Sequence, residues 1–278
     1  MINIATSGVT NIFLGTSGAT AIYVGSDLVW STGGHDYSQD YFTLSALESG
    51  DFWWGASNVE YSLNDGNWTT WTATDSANTF SVSADDKIRF RGENKTYGYL
   101  EIEATGYFDV EGNIMSLFYG DNFSGQTALK QNNCFERVFL DNTKVVNAGN
   151  LILPATTLKD TCYNQMFEGC TSLITAPKLP ATTLNSMCYR YMFRRCSSLT
   201  KAPDLPALEP KMSAYAGMFN GCTSLNYVKC MLTSLGGSVV SGWMINVTGN
   251  GTFIKNANMN DWPSGQSGIP NGWTVVDA

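Results

Sequence analysis

Hydrophobic and polar positions along this chain follow two different periods. From Leu153 to about Leu235 the pattern returns every 26 residues: LPATTL at 153–158 recurs at 179–184 and, degraded to LPALEP, at 205–210. Met166, Met192 and Met218 keep the same register, as do Cys170, Cys196 and Cys222, and Leu173, Leu199 and Leu225. A fixed period of this size predicts a solenoid of stacked repeats. Within one copy, Tyr163, Met166, Phe167 and Cys170 are spaced as one face of a short helix, with Asn164, Gln165 and Glu168 on the other side. Ser-Leu-Ile-Thr-Ala then predicts a brief strand, which Pro177 ends because proline cannot donate to a ladder. Such a unit is too small to bury its apolar face alone, and stacked neighbours supply the missing partner.

Between Tyr41 and Val110 the period drops to two. YFTLSA, VEYSL, WTTWT, TFSVS, KIRFR, YLEIE and GYFDV are separated by turn signals such as Asn64-Asp65-Gly66. In KIRFR, Ile88 and Phe90 alternate with Lys87, Arg89 and Arg91. Seven short strands in so little chain predict a small antiparallel sandwich of immunoglobulin or fibronectin type. Ahead of it, residues 1–33 carry the apolar runs NIFLG, AIYVG and DLVW, and STGGHDYSQD (31–40) reads as a linker. Thirty-odd residues cannot bury a core of their own. Ile12, Phe13, Leu14, Ile22, Tyr23, Val24 and Trp30 are therefore the expected surface for anchoring and oligomerisation, with a dimer or a trimer equally open.

The unit CYxxMFxGCTSLxxAPxLPATTL resembles the BspA-like leucine-rich repeat of surface and adhesion proteins of Bacteroidales and of the phages that infect them. The resemblance runs over roughly residues 134–278, with GTFIKNANMNDWPSGQSGIPNGWTVVDA similar to the closing segment of such arrays. Tyr107 to Phe123 resembles the lead-in to the repeats, and IYVGSDLVW resembles N-terminal pieces of phage structural proteins. The expected fold class is α+β and multidomain. It comprises an N-terminal β anchor and linker (1–36), a β-sandwich (37–115) and a leucine-rich-repeat solenoid with a C-terminal cap (116–278). The family implies surface recognition without fixing a ligand.

Composition narrows the function. Charged residues make up only 14% of the 278, and the net charge is -8. The charge is uneven: residues 1–129 hold 4 basic and 16 acidic side chains, residues 130–278 hold 12 and 8. An acidic chain is a poor partner for nucleic acid, whose phosphates select Lys and Arg. No apolar run reaches the roughly 18–20 residues of a membrane helix, so no membrane insertion is expected. MINIATSGVTNIFLG shows neither a basic nor an apolar region of a signal peptide. A virion protein assembled in the host cytoplasm needs no export signal, which favours the virion over the bacterial cell surface.

Seven cysteines are an odd count, and Cys-x7-Cys with a single histidine, His35, is no metal-ligand spacing. Free buried thiols are expected, with no metal and no cofactor. One histidine also removes His-based triads, and no phosphate or dinucleotide loop occurs. Glu101 and Glu103 alternate onto one face as a solvated strand edge would, so no catalytic residue is assigned and the chain is read as a non-enzyme.

Binding is the better expectation. Trp53 and Trp54 are successive, so one ring of the pair faces outward if both lie in a strand, and the same parity argument covers Trp68 and Trp71. These rings serve core and rim, a subunit interface, or a sugar. In the second repeat Arg190, Tyr191, Arg194 and Arg195 form a patch that suits an acidic glycan or protein face, docking on the chain's own acidic half (1–129), or solvent. The leading expectation is a bacteriophage virion structural protein, a head or tail fibre or decoration subunit. Its N-terminus would bind capsid or tail proteins, and its repeats would meet a host-surface glycan or protein. The alternatives are a bacterial cell-surface adhesin with the same repeats and a stand-alone glycan-binding module.

Overall fold

The computed structural model describes residues 21–24, 27–31, 35–247 and 249–278, and the chain forms two compact units, Met1–Tyr37 and Ser38–Ala278. In the first unit, β1 (Ala21–Val24) and β2 (Asp27–Ser31) pair antiparallel, with Ile22 opposite Trp30 and Tyr23 opposite Leu28. Of the expected anchor residues, Ile22, Tyr23 and Val24 are on β1 and Trp30 is on β2. Ile12, Phe13 and Leu14 lie outside the described residues.

The second unit begins with β3 (Phe42–Ala46), β4 (Gly50–Trp54), β5 (Val59–Leu63), β6 (Thr69–Thr70), β7 (Phe80–Val82), β8 (Lys87–Gly92), β9 (Ile102–Ala104) and β10 (Phe108–Asn113). A short helix α1 (Ser116–Tyr119) follows, and then β11 (Asn150–Ile152). One sheet has the order β11-β10-β3-β8-β5-β6, the other β7-β4-β9. All neighbours are antiparallel except β10 and β11, which run parallel. The two sheets meet face to face. Phe52 and Trp54, two residues apart and so on one face of β4, reach Phe108 (ring centroids 5.0 Å) and Phe90 (5.8 Å) across the gap. Period-two alternation shows in burial along β8, where Ile88 and Phe90 are fully buried between Lys87, Arg89 and Arg91.

The repeats build a column of turns. Left-handed backbone recurs at four-residue spacing in each turn, at Thr161, Gln165 and Gly169, then Met187, Tyr191 and Arg195, then Ser213, Gly217 and Gly221, with Phe135 and Tyr163 as additional left-handed positions. Asn133, Arg137 and Asp141 form an equivalent turn 28 residues before the first of these, and Ser238, Gly242 and Asn246 one 25 residues after the last. Hydrogen bonding alternates along each turn. Asn164, Met166, Glu168 and Cys170 donate N–H to the carbonyl three residues back (3.1–3.3 Å). Gln165, Phe167 and Gly169 donate instead to Arg190, Met192 and Arg194 of the next turn (2.8–2.9 Å). Every second amide thus closes a local turn and the others tie successive turns together. The side chains stack as strictly as the backbone. Phe139, Phe167, Phe193 and Phe219 form one ladder, with centroids 5.1, 5.8 and 6.0 Å apart. Phe135, Tyr163, Tyr189 and Tyr215 form a second, at 5.9, 5.9 and 6.1 Å.

The expected α+β class with a leucine-rich-repeat solenoid is overturned. The chain is mostly β-sheet, 26% strand and 5% helix, in small sheets, and a solenoid of that kind is not shown. Among the described residues the only α-helix is α1, outside the repeats. The reason is in the backbone. A helix spends every interior N–H on the carbonyl four residues back, whereas here half of them go to a turn about 25 residues away. The predicted inner face is right in composition, since Tyr163, Met166, Phe167 and Cys170 are all buried. Asn164 and Glu168, placed on the outer side of a helix, are buried too. The brief strand predicted after each turn is reduced to isolated bridges in the first two copies, Asn147 with Thr175 and Lys201 with Tyr227, and only the third copy runs into a strand, at Tyr227.

The column does not stand apart from the sheets. Phe139 touches Phe42 (6.3 Å) and Phe108 (6.4 Å), so its ladder starts in the core between the sheets. The parallel pairing of β10 with β11 crosses the boundary expected at residue 115. At the far end β12 (Tyr227–Cys230), β13 (Thr252–Lys255) and β14 (Thr274–Asp277) close the column as a parallel three-stranded sheet.

Candidate recognition surface

Turn stacking fixes where the outward side chains of the column fall. Gln165, Tyr191 and Gly217 are equivalent, as are Gly169, Arg195 and Gly221, so one regular frame carries different chemistry at each level. Gly217 is required there: with φ at 62°, an added Cβ would run into the Tyr191 ring of the turn below.

Arg190, Tyr191, Arg194 and Arg195 do come together. Arg190 lies over the Tyr191 ring (4.5 Å) and donates to its hydroxyl (3.1 Å), and Arg194 reaches the same ring from 5.2 Å. The charge of the patch is largely spent within the column. Arg194 donates to Glu168 (3.2 Å) and Arg195 to Asp141 (2.6 Å), with Glu168 also 3.5 Å from Arg195. Glu168 is buried and accepts a second hydrogen bond from Gln165 (2.7 Å). Both carboxylates lie in the 130–278 half, so these pairs join neighbouring turns and do not reach the acidic 1–129 half, and the Arg194 and Arg195 side chains stay partly exposed to solvent.

The four early tryptophans divide by parity. Trp54 and Trp71 are core residues whose indole N–H groups donate to the carbonyls of Leu100 (2.9 Å) and Trp54 (3.0 Å). Trp53 and Trp68 are half-buried. Arg91 lies 4.3 Å over the Trp68 ring, and Tyr41 meets it edge-on at 4.8 Å. Arg91 is itself held by Glu60 (2.8 Å) and Asp121 (2.7 Å). The tryptophans belong to the sheets and the arginines to the column, so the two candidate sets form separate surfaces.

Glu103 differs from the solvated edge expected of it. It is half-buried, and burial first, then the charges of Glu101 and Asp141, raise its carboxyl above the ordinary value of 4.5. The seven cysteines are free and buried. Cys170, Cys196 and Cys222 each donate Sγ–H to a phenylalanine carbonyl of the preceding turn (3.0, 3.0 and 2.9 Å), which accounts for cysteine at that register. Burial pushes the thiol of Cys188 up to about 12, and that of Cys230 likewise to about 12. Cys134 is shifted the other way, lowered first by its side-chain hydrogen bond with Cys162.

Several hollows lie outside the predicted sets. One of about 700 Å³ separates consecutive units beside Pro177, Pro180, Pro203 and Pro206. One of about 440 Å³ lies by Glu60, Arg91 and Asp121. A third, about 320 Å³, is lined by Trp262 and Trp273 near the end of the column. The sequence signal for it was two tryptophans in an Asn-, Gly- and Pro-rich stretch, read only as a closing segment. Compared with protein-family models, curated proteins and solved structures, the chain finds no match in any of the three. Among the described residues no helix is long and apolar enough to cross a membrane.

Proposed function

We propose that the protein is a display and recognition subunit of a bacteriophage virion, a fibre or decoration protein of head or tail. The observation that carries this reading is the column: stacked turns with a fixed backbone and variable outward residues at each level. Repetition of one hydrogen-bond scheme makes a frame whose outer positions change without altering it. A surface of this kind suits contact with an extended, repetitive partner such as a host glycan or surface protein. The separate compact unit Met1–Tyr37 is the proposed attachment and oligomerisation element, docking on capsid or tail proteins. The sequence support is the similarity of the 26-residue unit to those of BspA-like surface proteins and their phage counterparts.

The same similarity favours one other reading, a bacterial cell-surface adhesin. Fractionation separates the two. Phage particles banded in a density gradient should contain the protein in stoichiometric amounts, and immunogold should label their surface. Its absence from particles, together with its presence on the outer surface of uninfected cells, would replace the virion reading with the adhesin.

A further inference from the structure

We propose that the hollow beside the β13–β14 edge binds one neutral sugar unit of a glycan; this rests on the glycan-recognition reading above and gives it a site. β13 and β14 are parallel, so a crossover must join them. That crossover, residues 256–273, contains no helix or strand. Connections of this length without regular structure are uncommon, and are usually either functional or disordered. It is also held firmly. Trp243 Nε1 donates to the Gly268 carbonyl (2.8 Å), Met244 N to that of Gln266 (3.1 Å) and Gly242 N to Ser267 Oγ (2.8 Å). Asn256 Nδ2 reaches back to the Met231 carbonyl (3.1 Å). The walls of the hollow are therefore in place before any ligand arrives, which lowers the ordering cost of binding.

The lining has the two kinds of surface that a pyranose requires. One is aromatic: Trp262 is half-buried and stacked on Trp243 (5.5 Å, 13° between planes), and Trp273 lies deeper. An apolar C–H face of a sugar ring packs on such a wall. The other is a rim of exposed neutral donors and acceptors, Asn260, Ser264 and Asn271, matched to hydroxyl groups. A volume of about 320 Å³ stands at the small end of ligand sites, which run from about 300 to 1,000 Å³. Charge sets the ligand class. Lys255 is the one cation of the lining, and Asp277 holds it at 2.5 Å, which leaves no unmatched charge for a carboxylate or sulfate.

The test uses the full chain, methyl glycosides of neutral hexoses and N-acetylglucosamine, with glucuronic and sialic acids as charged probes. Titration calorimetry should show saturable binding of at least one neutral sugar and none of the acids. The Asn260→Ala/Asn271→Ala protein should bind at least about tenfold more weakly. Both side chains are exposed, so this variant keeps the packing that Trp262→Ala disturbs, and it decides the question. A glycan array on the same two proteins separates the failures. If the parent protein binds glycans and the double variant binds them equally well, the site is wrong and the recognition reading stands. If the parent binds none, both fall. Preference for an acidic sugar overturns the neutral assignment.

Discussion

The paired sheets and the column bury similar aromatic residues by opposite means. In the sheets each contact is made once: Trp54 stacks on Tyr97 (5.1 Å), crosses Phe90 edge-on (5.8 Å) and donates to Leu100, and no other residue repeats that set. In the column one contact is made again and again, ring on ring at about 6 Å down two ladders. The backbones differ in the same way. Strands alternate their side chains between two faces, whereas the turns alternate their amides between local and inter-turn bonds. Specificity in the sheets thus comes from unique shape, and in the column from register. A register-based structure should respond to a change at one level through the levels on either side.

The largest effect is expected at the centre of the column. Met192 is fully buried, with Met166 and Met218 as its copies on either side. Met192→Asp places an unpaired charge there at a cost of about 4 kcal/mol or more, a large part of a typical stability of about 5–15 kcal/mol. Thermal melts should show the variant unfolded or strongly destabilised near room temperature. An unchanged midpoint would place Met192 outside the core.

Gly217→Ala is the next step down. A methyl group there must accommodate a left-handed φ and the Tyr191 ring together, for about 2–3 kcal/mol. Gly125 supplies the contrast, because its φ is also positive while nothing lies within 4 Å of an added Cβ. Gly125→Ala should cost only the conformational term, about 1 kcal/mol. Denaturant midpoints of the two variants measure the difference, which is the steric part of turn stacking. Equal losses would mean that the turns are not in register at Tyr191.

Much of this comparison was legible in the sequence. The 26-residue period located three turns and their buried residues. It missed the first and last, where spacing changes to 28 and 25, Val138 and Trp243 stand at the Met position, and Asn142 and Val247 stand at the Cys position. Helical spacing misled for a physical reason: a ten-residue apolar pattern does not tell a helix from a chain of turns, and only the neighbouring turns reveal where the amides go. The candidate arginines were legible as a cluster, but their neutralisation by Glu168 and Asp141 depends on turns 26 and 54 residues away. In the sheets, alternation announced β8 and parity allowed for Trp53 and Trp54 on opposite faces. It was silent on the hollow beside Trp262, whose lining is irregular chain with no period.

Two smaller effects sharpen the contrast. Cys196→Ala removes a thiol that donates to the Phe167 carbonyl, a contact repeated at Cys170 and Cys222. The expected loss is about 1 kcal/mol, read as a lower melting midpoint. No loss would mean that the thiol ladder fills space only. Glu103→Gln, on β9, should act in the other direction. Its carboxyl titrates higher in the fold than in the unfolded chain, so its ionisation opposes folding. The native state holds that proton more tightly. Stability from this group is therefore fullest below pH 4.5 and is lost as pH rises through the folded value. At pH 7 Glu103→Gln should be the more stable protein by a few tenths of a kcal/mol, and the gain should vanish in acid. A gain that persists below pH 4 would have another cause than charge.

The central claim is that the sheets and the column share one core through Phe139 and that inter-turn amides hold the column in register. Residue-resolved hydrogen exchange tests it directly. The amides of Phe139, Phe167, Phe193 and Phe219, which bond to the next turn, should be as protected as those of Leu44 and Ile88 in the sheets. All should exchange through a common opening and lose protection together in mild denaturant. Rapid exchange at Phe167 and Phe193 while Leu44 and Ile88 remain protected would contradict the account, since the column would then open independently of the sheets.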